Sequence, residues 1–240
     1  MINPLIEKIY ETGFVEDAQG HTYPVLPRGI PFASGVVLYD LIRAFKPVKT
    51  LETGLAYGMS TLFICQALQD NGTGHHTAID PFEESTYKSI GLLNIERAGL
   101  KGMLRFYPSP AAEVLPRLFL EKERLDFAFI DGRHLFDWAL LEFFYIDKML
   151  AVGGHIVIDD LWMPGIRKAV SFILKNTPYR LVRPVAKRQV PGWKRVTRLG
   201  RRILQNPFGL DWQLKFIPEN IAILRKAAED ERAWDFHRAF

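Results

Sequence analysis

Three aspartates and one histidine follow two apolar runs of the sequence and could together hold a cation. Asp131 and His134 come directly after one run, and Asp159 and Asp160 come directly after the next. Neighbouring carboxylates repel one another, so three of them need a compensating positive charge. Hard oxygen ligands in a partly open site suit Mg²⁺. An imidazole close by could accept the proton of a hydroxyl group, which makes His134 a candidate general base.

The same residues also have a simpler interpretation. Asp131 and Asp159 could each cap the helix that follows its strand, and Asp160 could be an ordinary solvated side chain. A histidine at the start of a helix is often structural. The four residues together favour a site over separate caps, because parallel strand ends meet at one sheet edge, where ligands bind.

A second constellation is the glycine-containing segment 51–60, which reads LETGLAYGMS. The small residues Gly54, Ala56 and Gly58 allow a sharp turn and a close approach to a ligand. The start of the next helix offers free N–H groups to a carboxylate or phosphate. Ser60 could cap that helix or bind the anion. Asp80 ends the following strand, where an acid commonly binds ribose hydroxyls. We therefore expect a nucleotide-type site.

Alternating strands and helices must position these residues. Apolar runs of strand length alternate with segments of helical periodicity, which predicts right-handed crossovers and a mostly parallel sheet covered on both faces. The predicted strands are 48–52, 76–79, 104–107, 125–130, 154–158, 179–182 and 221–225. The predicted helices are 35–45, 60–69, 89–98, 111–119, 135–150 and 166–175.

The chain is predicted to be a single domain over residues 1–240 with three distinct additions. Residues 1–47 are expected to form an N-terminal helical segment. Residues 183–219 are strongly basic and too long for an ordinary loop. This predicted insertion could be a lid, a substrate-contacting arm, a subunit contact or a solvated surface. Residues 227–240 are expected to form a terminal helix, with Trp234 and Phe236 able to dock on the sheet or on a partner.

Composition sets the remaining expectations. The 240 residues are 48% hydrophobic and 24% charged, with a net charge of +4, which is ordinary globular composition. The single Cys65 excludes an intrachain disulfide. Neither a signal peptide nor an apolar stretch long enough to span a membrane is recognisable. We expect a soluble, cytoplasmic protein without a membrane or nucleic-acid partner.

The glycine segment resembles motif I of the class I S-adenosylmethionine-dependent methyltransferases. Its Glu-x-Gly-x-x-x-Gly spacing departs from that of dinucleotide binders, and the likeness extends from about residue 32 to residue 175. The resemblance implies a doubly wound α/β domain whose seven-stranded, mostly parallel sheet ends in an antiparallel strand. It also implies contacts to the cofactor S-adenosylmethionine: to the methionine part from Glu52, Gly54, Ala56, Gly58 and Ser60, to the ribose from Asp80, and to the adenine from Ser109. Tyr57, within the same turn, is a further expected cofactor contact.

The acidic cluster resembles that of the cation-dependent O-methyltransferases, such as catechol O-methyltransferase. It is more similar to the macrocin-type sugar O-methyltransferases, in which Asp-x-x-His is also followed by an acidic pair. The resemblance implies that Asp131, Asp159 and Asp160 bind Mg²⁺ and that His134 is the general base. Catechol-type enzymes have lysine at the His134 position and asparagine at the Asp160 position, so their substrate chemistry is not carried over.

The predicted function is methyl transfer to a hydroxyl group of a small molecule such as a sugar or natural product, with Asp131 and His134 as the catalytic pair. A homo-oligomer is compatible with the sequence. Nucleic-acid bases are disfavoured because residues 131–134 read DGRH and not the Pro-Pro-aromatic loop of amino-methyltransferases. One alternative is a noncatalytic binding module that meets a partner through the basic insertion. The glycine spacing disfavours the other, an oxidoreductase.

Overall fold

The computed structural model describes residues 2–182, Leu214 and residues 220–240. The predicted basic insertion, residues 183–219, lies outside the described residues apart from Leu214. Within the described part, no helix is both long and apolar enough to cross a membrane. The helices are α1 (Pro4–Thr12), α2 (Phe32–Phe45), α3 (Met59–Asn71), α4 (Ile90–Arg97), α5 (Ala111–Leu120), α6 (Phe136–Met149) and α7 (Pro164–Asn176).

Seven strands form one sheet in the order β5-β4-β3-β6-β7-β9-β8. All neighbouring pairs from β5 to β7 are parallel, and β9 runs antiparallel to both of its neighbours. The doubly wound sheet with an antiparallel last strand is therefore confirmed. The strands of this sheet are β3 (Lys49–Thr53), β4 (His75–Ile79), β5 (Leu104–Tyr107), β6 (Leu125–Ile130), β7 (Leu150–Ile158), β8 (Tyr179–Val182) and β9 (Ala222–Lys226).

Central strand β6 shows how the sequence builds two cores. Its side chains alternate: Phe127 and Phe129 pack into a cluster with α2 and α3, and Ala128 and Ile130 pack into a second cluster with α5, α6 and α7. A strand that is buried on both faces has apolar residues on both faces, which is why neither face of residues 125–130 is polar. The two layers of helices fix the sheet, so its carboxyl edge can hold side chains in set positions.

The N-terminal segment is not wholly helical as predicted. It contains α1, then a hairpin of β1 (Phe14–Glu16) and β2 (Thr22–Pro24), then α2. The Asn3 side chain caps α1 by accepting from the Leu5 N–H at 3.0 Å, and Gly13 ends the helix at a φ of 78°. Asp17 holds the hairpin loop by accepting from Gln19 N and His21 N at 2.9 Å. These strands of three residues are too short for a periodic signal.

The predicted terminal helix is wrong. Residues 227–240 contain no helix and follow the surface of α7. Asn176 of α7 exchanges two hydrogen bonds with the Arg238 backbone, at 2.7 and 3.0 Å, and Phe240 packs edge-on against Phe172. Trp234 is 97% exposed and does not dock on the sheet. So short a segment without an apolar face to bury is not stable as a helix.

Strand β7 begins four residues earlier than predicted. Its pairing with β6 is irregular, since Leu125 lies opposite Leu150 while Phe127 lies opposite His155. Gly153, at a φ of 91°, allows the backbone to bend within this bulge. The irregularity is at the far end of the strand, so Ile130 and Ile158 remain paired at the carboxyl edge.

Candidate active site

The carboxyl ends of β3, β4, β6 and β7 surround one cavity of about 770 Å³. Parallel pairing brings Thr53, Ile79, Ile130 and Ile158 to the same edge of the sheet. Residues immediately after these positions therefore face one space, as expected for this sheet type. Of the residues predicted from the sequence, eight line the cavity: Gly54, Ala56, Ser60, Asp80, Asp131, His134, Asp159 and Asp160.

The turn between β3 and α3 has a backbone that only small residues permit. Gly54 has a φ of 89°, and a Cβ built on it would lie 2.3 Å from the Asp131 carbonyl oxygen. Gly58 has a φ of 74°, and its Cβ would lie 3.0 Å from the Gly91 oxygen. Ala56 also has a positive φ, of 47°. The first glycine thus allows β3 and β6 to end in contact, and it couples the turn to Asp131.

Asp80 holds the glycine turn in place. One of its carboxylate oxygens accepts from the N–H groups of Leu55 and Ala56, both at 2.9 Å, and the other accepts from Phe82 N at 2.8 Å. The side chain is 4% exposed and lines the cavity. A carboxylate accepts about four hydrogen bonds, so this one is largely occupied by backbone and has little capacity left for a ligand hydroxyl.

Glu52 lies beneath the turn and not in the cavity wall. Its carboxylate accepts from the Thr61 hydroxyl and lies 3.4 Å from Nε2 of His76. The other imidazole nitrogen is 2.8 Å from the Thr50 hydroxyl. Both Glu52 and His76 are fully buried. This network supports β3, β4 and α3 from below the turn.

Three other predicted cofactor residues do not line the cavity. Gly58 is the residue before α3 and contacts Gly91 instead. Tyr57 is buried, with its ring edge-on to that of Tyr87 at 5.6 Å. Ser109 does not line the cavity, whereas its neighbours Pro110 and Ala111 do. An apolar surface therefore faces the cavity where the Ser109 hydroxyl was expected.

Asp131, His134 and Asp160 come together at the ends of β6 and β7. Each offers one ligand atom, and these atoms lie within 4.8 Å of one another. Nδ1 of His134 is 3.4 Å from Oδ2 of Asp160. Asp159 is also buried beside the cavity, although it is not part of this closest group, and its Oδ1 has no hydrogen-bond partner in the described part of the chain.

Among the described residues, no lysine or arginine forms an ion pair with the acidic cluster, whose one such contact is with His134. Burial, followed by the charge of Asp159, raises the pKa of Asp131 well above its usual range. Burial also raises the pKa of Asp159 to about 7, and the nearby charge of Asp160 acts in the same direction. Buried carboxylates beside one another are stable as anions only next to a cation. The unpartnered Asp159 oxygen and this excess of negative charge fit a hard divalent ion such as Mg²⁺.

Asn220 is a site residue that the sequence does not reveal. Its side chain donates to Oδ1 of Asp160 at 2.9 Å and accepts from Trp162 N at 2.9 Å. The Trp162 indole donates to the same Asp160 oxygen at 2.7 Å. These contacts hold Asp160, at a φ of 58°, with its second oxygen toward His134. Asn220 is distant in sequence and has no local motif, so only the antiparallel return of β9 brings it here.

Glu142 is a second missed residue. It lies on α6, is 2% exposed and lines the cavity. Its carboxylate accepts from the Thr53 hydroxyl at 3.0 Å, and burial raises its pKa to about 8. A lone acid on the apolar face of a predicted helix is the signal that could have identified it, since an unpaired charge is rarely buried without a role.

Comparison with known proteins agrees with this architecture. Residues 51–161 match the family described as "Methyltransferase domain". A caffeoyl-CoA O-methyltransferase from Populus kitakamiensis is 30% identical over 164 residues, which are 65% of each chain. A catechol O-methyltransferase from Niastella koreensis is 28% identical over 165 residues, 64% of this chain and 70% of that protein. The matched stretch thus covers slightly less than two thirds of the first relative's length.

Solved structures show the same fold. An O-methyltransferase from Bacillus cereus in complex with S-adenosylhomocysteine superposes with a TM-score of 0.61 at 20% identity, over 74% of this chain and 82% of that one. The O-methyltransferase TomG from Streptomyces achromogenes, in complex with S-adenosylmethionine, gives 0.59 at 18% identity, over 75% and 81%. At sequence identities of 18–20%, these superpositions show only that the chains share a fold.

Proposed function

We propose that this chain carries a class I methyltransferase domain related to the cation-dependent O-methyltransferases, and that it transfers a methyl group from S-adenosylmethionine to a hydroxyl group of a small molecule. One observation carries the proposal. The glycine turn and the acidic cluster line the same cavity, in direct contact through Gly54 and the Asp131 carbonyl. Cofactor and acceptor would therefore lie side by side, which is what a direct transfer requires.

The glycine turn and its neighbours would hold the cofactor, which supplies an electrophilic methyl group on its sulfonium. Gly54, Ala56 and Ser60 line the cavity at the start of α3, where helix N–H groups can bind a carboxylate. Asp80 keeps the turn in this shape through its backbone contacts. Rigid support of this kind places the methyl group in one position relative to the acidic cluster.

Asp131, Asp159 and Asp160 would hold Mg²⁺, which when bound lowers the pKa of a hydroxyl group and stabilises the oxyanion formed from it. Their own contribution is to fix where the acceptor hydroxyl lies. Asn220 and the Trp162 indole orient Asp160. Asp131 is fixed by its N–H, which donates to the Thr53 carbonyl at 3.0 Å.

His134 is proposed to accept the proton of the acceptor hydroxyl. Its Nδ1 faces the Asp160 carboxylate at 3.4 Å, which favours a proton on Nδ1 and leaves Nε2 as the accepting atom. His134 would keep this proton while the acceptor oxygen forms its bond to the methyl carbon, and the electron pair of the broken carbon–sulfur bond would stay on the sulfur of the bound cofactor.

The cavity wall indicates an acceptor of moderate size with apolar parts. Leu26, Trp162 and Met163 line the cavity, and the first two are more than half exposed. A sugar-bearing natural product with a hydroxyl group to present to the acidic cluster fits this combination. Exposed tryptophan and leucine at the mouth of a cavity are typical of contacts with ring faces.

The proposal is tested by methyl transfer from labelled S-adenosylmethionine to a panel of glycosides and aromatic diols. We expect label on oxygen in the presence of Mg²⁺, loss of label with a chelator, and loss in His134→Asn. Binding of S-adenosylhomocysteine together with no transfer to any acceptor would contradict the enzymatic function and favour a noncatalytic binding module. Equal transfer with chelator and with Mg²⁺ would exclude the cation from the reaction.

A further inference from the structure

Arg28 lies on a loop that covers the first turn of α3. Residues 26–31 line the cavity, and a Cβ on Gly29 would lie 2.8 Å from Cγ of Met59, the first residue of α3. The loop is fixed at both ends: Gly29 N donates to the Val25 oxygen at 2.8 Å, and the Tyr10 hydroxyl donates to the Ile30 oxygen at 2.6 Å. Its position relative to the helix is therefore set by packing.

At this end of the cavity the start of α3 presents N–H groups, and the Asp80 carboxylate is already bound to the backbone of the preceding turn. The first intrahelical bond of α3 runs from Leu62 N to the Gly58 oxygen, so the preceding N–H groups are free to bind a ligand. No acidic residue is present in the first turn. Ser60 is 4% exposed and lines the cavity, and its hydroxyl makes no hydrogen bond to any residue described in the structure. The hydroxyl is therefore available to a ligand in the cavity.

Arg28 adds a full positive charge to the same end. Its Nη1 is 3.5 Å from the hydroxyl of buried Tyr57, which directs the guanidinium across the glycine turn. No carboxylate in the described ranges forms an ion pair with Arg28. Asp80 lies nearby, but its oxygens already accept three backbone N–H groups. The guanidinium is thus available to an anionic ligand.

We propose that Arg28 binds the carboxylate of the cofactor's amino-acid part and makes the site selective for adenosyl compounds that carry this carboxylate. The inference rests on the proposed function, because it takes the ligand to be S-adenosylmethionine. Arg28, Ser60 and the start of α3 line the cavity together with Asp131, Asp159 and Asp160, so its wall offers positive groups to a carboxylate and negative groups to a sulfonium.

The test compares two ligands that differ only in the carboxylate. S-adenosylhomocysteine carries it, and the decarboxylated analogue S-adenosyl-3-thiopropylamine keeps the amine but lacks it. Dissociation constants for both are measured by calorimetry with wild type, Arg28→Met and Arg28→Lys. Arg117→Met is the matched control, since Arg117 stacks on Tyr107 and does not line the cavity. Thermal unfolding without ligand checks that each variant is folded.

We expect Arg28→Met to raise the dissociation constant of S-adenosylhomocysteine by about tenfold or more. The dissociation constant of the decarboxylated analogue should rise by less than about twofold. Arg28→Lys keeps the charge and should lose less affinity for S-adenosylhomocysteine, and Arg117→Met should bind it as tightly as wild type. An equal loss for both ligands, or no loss for either, would overturn the role of Arg28 and leave the proposed function standing. Failure of wild type to bind S-adenosylhomocysteine would refute the proposed function itself, and the inference with it.

Discussion

At the residue scale, the carboxylates of the acidic cluster oppose folding unless a cation is present. Burial and mutual repulsion raise the pKa values of Asp131 and Asp159, so their charged forms lower the stability of the folded protein. Residues that reduce stability and yet lie together in a cavity are typical of functional sites. Asp147 is also buried, but its charge is balanced: its carboxylate accepts from the Tyr179 hydroxyl at 2.9 Å and pairs with Lys226.

Asp131→Asn should therefore raise the melting temperature of the cation-free protein and lower methyl transfer by a factor of about a hundred or more. Removing one charge relieves the repulsion and also removes a cation ligand. Saturating Mg²⁺ should stabilise wild type far more than the variant. Thermal unfolding with and without Mg²⁺ measures both effects. The control Asp147→Asn should be destabilised under both conditions. Equal melting temperatures for Asp131→Asn and wild type would show that Asp131 carries no unbalanced charge.

Glu83 predicts a pH dependence that is separate from the acidic cluster. It is 2% exposed, and it accepts from Leu92 N at 3.0 Å at the start of α4. Burial, and less strongly the charge of Asp80, raises its pKa from 4.5 to about 7. Because the pKa of Glu83 is higher in the folded state than in the unfolded state, protonated Glu83 contributes its full stabilisation below about pH 4.5. This stabilisation is lost as the pH rises through about 7.

Glu83→Gln keeps the acceptor and removes the titration. The variant should match wild type in unfolding free energy near pH 4.5 and exceed it by up to about 3 kcal/mol above pH 7. Urea unfolding at both pH values measures the difference. The background dependence of Asp131 and Asp159 cancels in this comparison because both proteins contain them. A constant difference across the pH range would mean that Glu83 does not titrate as described.

At the element scale, Gly54 couples the turn between β3 and α3, the proposed cofactor region, to the proposed cation region after β6. A methyl group on this residue would meet the Asp131 carbonyl at 2.3 Å. Gly54→Ala should lower the unfolding free energy by about 3 kcal/mol or more and abolish S-adenosylhomocysteine binding. The control is Gly72→Ala, because Gly72 has a φ of 73° but nothing within 4 Å. That variant should lose only about 1 kcal/mol and bind normally, as measured by urea unfolding and calorimetry. Normal binding by Gly54→Ala would contradict the coupling.

Element boundaries also show what local sequence can and cannot predict. The strand ends before Asp131 and Asp159 were predicted from apolar runs that stop at a charged residue. The glycine turn was predicted from the small residues of segment 51–60. The hairpin of β1 and β2 and the irregular tail were predicted wrongly, because both are held by side-chain contacts to distant residues. Arg97, which donates to the Glu16 and Asp17 carbonyl oxygens, and Asn176 make those contacts, and neither has a periodic signal.

At the scale of the whole molecule, the sheet order made most of the site predictable. Adjacency of β3, β6 and β7 brings the aspartates after β6 and β7 to the glycine turn. Asn220 was not predictable, because it lies in a connection without a local motif, and Glu142 was signalled only as a lone acid on the apolar face of a predicted helix. Glu52 was expected to contact the cofactor but lies below the turn, since a strand residue one position from the edge faces a layer of helices.

The most direct test of the account is a crystal structure with S-adenosylhomocysteine and Mn²⁺ in place of Mg²⁺. Anomalous scattering locates the manganese, and ordinary density locates the ligand. We predict manganese bound by the carboxylates of Asp131, Asp159 and Asp160, with the ligand's sulfur in the same cavity and its carboxylate at Ser60. Manganese elsewhere, or a ligand outside the cavity beside Gly54, would contradict the claim that these strand ends form one methyl-transfer site.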